Sequence, residues 1–239
     1  MNYSQIDGKH SIPLKLMRAI SETVFKNKLP LVLKGGTALL LCYGLDRIST
    51  DLDFDANKDI NLESVIHESF DLQHGDDRPV LIEMNLKKHT DTVKKYIITY
   101  RPQNIDNVSS LKIEMLLRRK FDESETDIIG DIKVYKISAL FNFKRTAFKN
   151  RTVPRDLHDI IFIGKNYNNF LNAEQLDFIK NIYKNIDTVF NRFFIAYKED
   201  DILKDRFLDD LSNLEDLAAI KLKNSLEDKL KDITINLKS

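Results

Sequence analysis

The chain has 239 residues, 42% hydrophobic and 31% charged, and its 37 basic and 37 acidic side chains cancel to a formal charge of zero. That length can bury a core for one large domain or two small ones, and the balanced charge excludes a protein that coats nucleic acid by bulk electrostatics. No apolar run approaches the roughly 18–20 residues a bilayer demands, and no basic-then-apolar leader opens the chain, so the expectation is a cytoplasmic protein with no membrane partner. The single cysteine, Cys42, excludes an internal disulfide and reads as a core residue in a reducing compartment.

In chain order, Ser11 is a plausible N-cap for a helix to about Asn27, with Leu16, Met17, Ile20, Val24 and Phe25 at helical spacing. Pro30 ends that connection. Leu31-Val32-Leu33 then predicts a short strand running into Lys34-Gly35-Gly36-Thr37, which opens an apolar helix ending near Gly44. Ser49 to Phe54 returns as a strand, and a helix follows from Asn61 to about Gln73. Strands are expected at Val80–Leu86, Val93–Tyr100, Ser110–Leu117 and Ile132–Tyr135, separated by polar stretches. From Lys136 the pattern turns helical, with a break at Val153-Pro154, a restart at Arg155, and further helix over 173–197 and 214–231. A strand-rich half over 1–135 therefore precedes a helical half over 136–239, an α+β chain without repeats or low-complexity linkers.

The chemistry concentrates in two places. Asp51 and Asp53 are two apart on a strand, so their carboxylates share a face, and two like charges held together call for a cation, Mg²⁺ being the usual oxygen-seeking choice. The paired glycines allow close backbone approach, and the N–H groups opening the next helix suit a phosphate. Taken singly, a Gly-Gly is a turn and an Asp-x-Asp a wet strand end; in this order and context they read as a metal–nucleotide site. Further on, five basic residues and no acid lie between Lys144 and Arg155, whereas residues 199–216 carry eight acids and two bases. The first stretch could hold phosphates, and the second reads as a solvated helix face.

Gly35-Gly36-Thr37-Ala38-Leu39, Tyr43-Gly44, Arg47, Ser49 and Asp51-Leu52-Asp53-Phe54 together resemble the AbiEii-type toxin nucleotidyltransferases, within the DNA polymerase beta-like superfamily. A second block supports the resemblance: Lys144 in a helix, then Pro154-Arg155-Asp156-Leu157-His158-Asp159 about ten residues later. His158 departs from the family, which usually has an aromatic residue there. The resemblance covers roughly Leu31 to Ile161. It implies a polymerase-beta-like α+β core with a mixed sheet and a C-terminal helical domain, the active site lying in the cleft between them. It also implies transfer of a nucleoside monophosphate from a nucleoside triphosphate to an acceptor hydroxyl, with tRNA 3′-ends as acceptors in some members. An antitoxin is implied as functional partner, without a stable complex being required.

Carried over residue by residue, the resemblance assigns Gly35, Gly36 and Thr37 to the triphosphate and Asp51 and Asp53 to Mg²⁺. Glu114, the acid of the Lys112-x-Glu114 strand, is its third metal ligand. Lys144 or Arg155 would stabilise charge on the phosphates, and Asp156 or Asp159 would orient the lysine or take the acceptor's proton. Without the first block, Arg155 and the two acids would read as a helix-start salt-bridge network. Two other functions fit the residues: a small-molecule nucleotidyltransferase of aminoglycoside-modifying type, and a nucleotide-binding regulator with little turnover. The five histidines lack zinc spacing, and no Walker-type loop or Gly-x-Ser-x-Gly elbow is present.

Overall fold

The computed structural model describes residues 8–75, 78–103 and 107–219, and its chain divides into two compact units, Met1–Leu140 and Phe141–Ser239. The first unit is built on β1 (Leu31–Lys34), β2 (Asp51–Ala56), β3 (Pro79–Thr90), β4 (Val93–Pro102), β5 (Ser109–Leu116), β6 (Thr126–Ile129) and β7 (Ile132–Tyr135). Three helices join them: α1 (Gly8–Lys26), α2 (Gly35–Tyr43) and α3 (Glu63–Asp71). The seven strands form one mixed sheet in the order β3-β4-β5-β2-β1-β7-β6. β2 runs parallel to β5 and β1 parallel to β7, and every other neighbouring pair is antiparallel.

Alternation along the strands sorts this sheet into a dry face and a charged one. Leu31, Leu33, Leu52, Phe54, Tyr96, Ile98, Tyr100, Leu111, Ile113 and Met115 are all at most 1% exposed, and they pack with Leu16, Met17 and Ile20 of α1 and Ile66 of α3 into a single core. The Tyr96 hydroxyl accepts from the Leu62 backbone at 3.3 Å, so even the polar tip of this core residue ties the sheet to the α3 entry. Interleaved with the core residues, on the opposite face, are Lys34, Asp51, Asp53, Lys95, Lys112 and Glu114. No described helix is long and apolar enough to cross a membrane.

Two local expectations for this unit need correction. α1 starts at Gly8 and not after a Ser11 cap, and it carries Pro13 inside it, past the first turn, where the proline gives up one backbone hydrogen bond of the helix. β6, absent from the sequence reading, forms a hairpin with β7 across Gly130 (φ +53°) and Asp131 (φ +59°). Two successive left-handed residues are the signature of a tight hairpin turn, and the Gly-Asp pair was its signal.

The second unit begins within α4 (Ile137–Asn150) and continues through α5 (Pro154–Tyr167), α6 (Ala173–Lys184), α7 (Ile186–Lys198) and a helix over 207–219, here α8. The expected single helix over 173–197 breaks at Asn185, whose backbone (φ −111°, ψ 35°) ends one helix and opens the next. α6 is held at its start by a reciprocal cap, Asn172 accepting from the Gln175 N–H and Gln175 accepting from the Asn172 N–H. Phe148 stacks on Phe193 at 5.4 Å and meets Phe178 edge-on at 5.9 Å, linking α4, α6 and α7. The expected helix over 214–231 is present to residue 219; its remainder lies outside the described residues.

Candidate active site

The Asp-x-Asp strand and the glycine turn meet because β1 and β2 are antiparallel neighbours, with Lys34 opposite Asp53. Gly35 follows at φ +75°, and a Cβ on it would stand 3.0 Å from Asp53 Oδ2. Any other residue would be strained in its backbone and crowd the carboxylate, so the glycine sets how near the helix start comes to Asp53. At Gly36 a Cβ would fall 2.7 Å from an Arg47 guanidinium nitrogen and 3.0 Å from Ser49 Oγ. Arg47 and Ser49, both buried, thus brace the first turn of α2 from the far side. Thr37 donates to the Asp51 carbonyl and lies 2.9 Å from Ser49 Oγ. Its hydroxyl is engaged in holding β2 against α2, so the side chain of Thr37 positions the turn. No side chain caps α2. Its leading N–H groups therefore retain their partial positive charge beside Asp53.

Glu114 joins the pair through sheet register. β5 lies parallel to β2 with Asp51 opposite Lys112 and Asp53 opposite Glu114, so all three acids occupy one face. Lys112 Nζ sits 2.6 Å from Asp51 Oδ2. Burial pulls the Lys112 ammonium down, but the bond to Asp51 and the charges of Asp51, Asp53 and Glu114 outweigh it, and its pKa rises. Asp53 behaves oppositely. Burial lifts its carboxyl above the usual 3.8, Asp51 and Glu114 add to the rise, and Lys112 and Lys34 only partly offset it. Asp53 thus carries charge stress that a cation would relieve. Among the described residues no three His, Cys, Asp or Glu side chains form a ready-made metal cage. The donor set nevertheless fits Mg²⁺, which is usually held by one or two carboxylates and completed by substrate phosphates.

One residue of this face escaped the sequence reading. Asp55, the next same-face acid on β2, is 1% exposed and holds Lys34 Nζ at 2.5 Å, while the Tyr135 hydroxyl donates to its other oxygen at 2.8 Å. Burial and the Asp55 carboxylate keep the Tyr135 phenol far above its ordinary range. The signal was present as a third acid at the strand period, Asp51-x-Asp53-x-Asp55. Its role differs because the Tyr135 hydroxyl and Lys34 occupy its two oxygens: Asp55 anchors the lysine preceding the glycines. Cys42 is half-buried, with burial pushing its thiol up to about 12, so it is no nucleophile.

The second block is a buried charge cluster inside the helical unit. Asp156 and Asp159 have fully buried side chains one turn apart on α5. Lys144 of α4 reaches both, at 2.6 Å to Asp159 and 3.5 Å to Asp156. Arg151 completes it with two bonds to Asp156, of 2.6 and 3.0 Å. Were the second block only a helix-start salt-bridge network, Arg155 would sit here. Instead Arg155 is half-exposed on the first turn of α5 and makes no ion pair with either acid, because Arg151, just before the helix, reaches Asp156 from outside it. His158 is likewise buried, its Nδ1 3.0 Å from both Asp210 oxygens, and the Tyr197 hydroxyl donates to Asp210 at 2.7 Å. Asp210 therefore belongs to the core of the acidic stretch that otherwise reads as a wet helix face. Asp210→Ala, which takes the same carboxylate from both His158 and Tyr197, is expected to cost about 3 kcal/mol. Urea unfolding checks this, and a loss below about 1 kcal/mol would contradict it.

The family described as "Nucleotidyl transferase AbiEii toxin, Type IV TA system" matches residues 15–233. The crystal structure of JHP933 from Helicobacter pylori is similar over 98% of this chain and 100% of its own, with 30% identity and a TM-score of 0.83. A crystal structure titled as a putative nucleotidyltransferase from H. pylori covers 94% of this chain and 99% of its own, at 30% identity and a TM-score of 0.80. No curated protein matches the chain. The α+β fold, its mixed sheet and its C-terminal helices match these two H. pylori structures, and the chain belongs to the AbiEii nucleotidyl transferase toxins of type IV toxin–antitoxin systems.

Proposed function

We propose that this toxin moves a nucleoside monophosphate from a nucleoside triphosphate to the 3′-terminal hydroxyl of an RNA, tRNA first among the candidates, with Mg²⁺ as cofactor. One observation carries the reading: Asp51, Asp53 and Glu114 share a sheet face that abuts the uncapped start of α2, with Gly35 against Asp53. The Gly35, Gly36 and Thr37 backbone receives the triphosphate, and Asp51 and Asp53, with Glu114, hold the metal. Bound there, Mg²⁺ supplies Lewis-acid stabilisation of the attacking and leaving oxygens. Lys34, anchored by Asp55, adds fixed positive charge beside the glycines. Lys112 leaves Asp51 or remains as a counter-charge while the site fills.

Lys144 is assigned to the phosphates or to the transition state, with Asp159 and Asp156 orienting it and Arg155 as a second phosphate cation. The same reading makes Asp156 or Asp159 the group that takes the acceptor's proton. The antitoxin acts on this toxin without a stable complex being required.

Incubation with each labelled nucleoside triphosphate, Mg²⁺ and total tRNA tests the assignment, with a chelator arm for the metal. Label in tRNA that vanishes with chelator is expected. Label transferred only to small molecules would refute the RNA acceptor. Salt gives an independent check. RNA affinity should fall steeply between about 50 and 200 mM salt, because each phosphate contact releases counterions. A flat titration would point to a small-molecule acceptor.

A further inference from the structure

We infer that the charged sheet face continues past Glu114 into a track for the acceptor's backbone phosphates, made by Lys95 of β4 and Lys88 of β3. The inference rests on the RNA-acceptor reading above.

Register defines the track. Lys34 lies opposite Asp53, Asp53 opposite Glu114, Glu114 opposite Lys95, and Lys95 opposite Lys88. These five residues make one row across β1, β2, β5, β4 and β3, all on the face away from the core. At about 4.8 Å per strand, Lys95 stands about 10 Å and Lys88 about 14 Å from Asp53. Neither lysine has an ion pair or hydrogen bond among the described residues. The neighbouring cations behave differently: Lys94 and His89, on the other face, are both tied to Asp59 at 2.5 and 2.7 Å. Lys95 is half-exposed and Lys88 exposed.

Two features point to an anion here. Like charges directly across an antiparallel pair destabilise the sheet, so Lys88 facing Lys95 is a cost that a bound phosphate would turn into a gain. The reaction's geometry supplies the direction. In-line displacement sets the attacking hydroxyl and the leaving pyrophosphate on opposite sides of the transferred phosphorus. With pyrophosphate on the Gly35–Gly36 side of Asp53, the acceptor enters from the Glu114 side, which is where β4 and β3 lie. Half-exposed Ile97, opposite Lys112 and Asn85, gives the same face an apolar spot on which a sugar or base can rest. The remaining acid on this face of the hairpin is Glu83, paired across to Thr99 beyond Ile97.

The test uses the full chain and fluorescently labelled, deacylated total tRNA, with affinity read by anisotropy over a salt series. The double variant Lys88→Ala/Lys95→Ala should make the slope of log affinity against log salt shallower by about 1.4, at about 0.7 per lost single-strand contact. Affinity for Mg²⁺·nucleotide should stay within about twofold. Lys88→Glu places opposite charges across the hairpin, so its melting temperature should hold or rise while tRNA affinity falls. An unchanged slope in the double variant, with the wild type still salt-dependent, overturns the track and leaves the RNA acceptor standing. A flat wild-type titration overturns both. A Lys88→Glu protein that melts lower and loses nucleotide as well as tRNA assigns the lysines to structure and overturns the inference. Polyglutamate binding the wild type as tightly as tRNA at matched salt assigns the face to acidic protein and does the same.

Discussion

Asp53→Asn is expected to abolish nucleotide transfer while the protein stays folded and melts at a higher temperature than the parent. The reason is the charge stress on Asp53: burial first, then Asp51 and Glu114, raise its carboxyl above 3.8 in the folded state. A raised carboxyl means the native state resists ionising it. The penalty is absent below the unfolded value and grows as pH rises through the folded one. The gain from asparagine should therefore be seen at neutral pH and vanish below about pH 4, where the parent is protonated too. Mg²⁺ should raise the melting temperature of the parent at neutral pH and do so much less for Asp53→Asn, since the cation relieves the same stress. Near-normal transfer by the variant would remove the metal-clamp mechanism. Unchanged melting would remove the electrostatic account of Asp53.

Lys144→Ala should cut turnover by about 10²–10³-fold, the usual effect of losing one preorganised charge at a phosphoryl centre. The structure adds a second consequence. Lys144 is the cation at 2.6 Å from the fully buried Asp159, so its removal takes the salt bridge from a buried carboxylate and should cost about 3–5 kcal/mol. Asp156 suffers less, because Arg151 still holds it through two bonds. Lys144→Ala/Asp159→Asn removes both charges and should restore most of the stability. If Lys144 serves the phosphates, turnover stays low in the double variant. If the cluster is only a structural staple, turnover returns with the melting temperature, and the assignment fails. Lys144→Arg should rescue in part, since a planar fork cannot replace a point charge packed between two acids.

The sequence alone determined what depends on neighbours along the chain. Strand period put Asp51 and Asp53 on one face, the glycine pair marked the turn into α2, and the pattern change near Tyr135 separated a strand-rich stretch from a helical one. The two motif blocks in order identified the family. Tertiary structure decided which charges meet. Glu114 reaches the pair only because β5 runs parallel to β2 in that register, which no local pattern encodes. Asp55 has the same period as its two neighbours, yet it is buried and bonded to the Tyr135 hydroxyl and Lys34, which makes it an anchor. Arg151 is the arginine that pairs with Asp156, because a residue just outside a helix can reach back to a carboxylate of its first turn. Asp210 looked like one more solvated acid until packing brought it to His158 and Tyr197. Sequence period fixes the direction of a side chain relative to its own strand or helix. What stands opposite is set by long-range pairing, and that pairing decides whether a charge is wet, buried or poised.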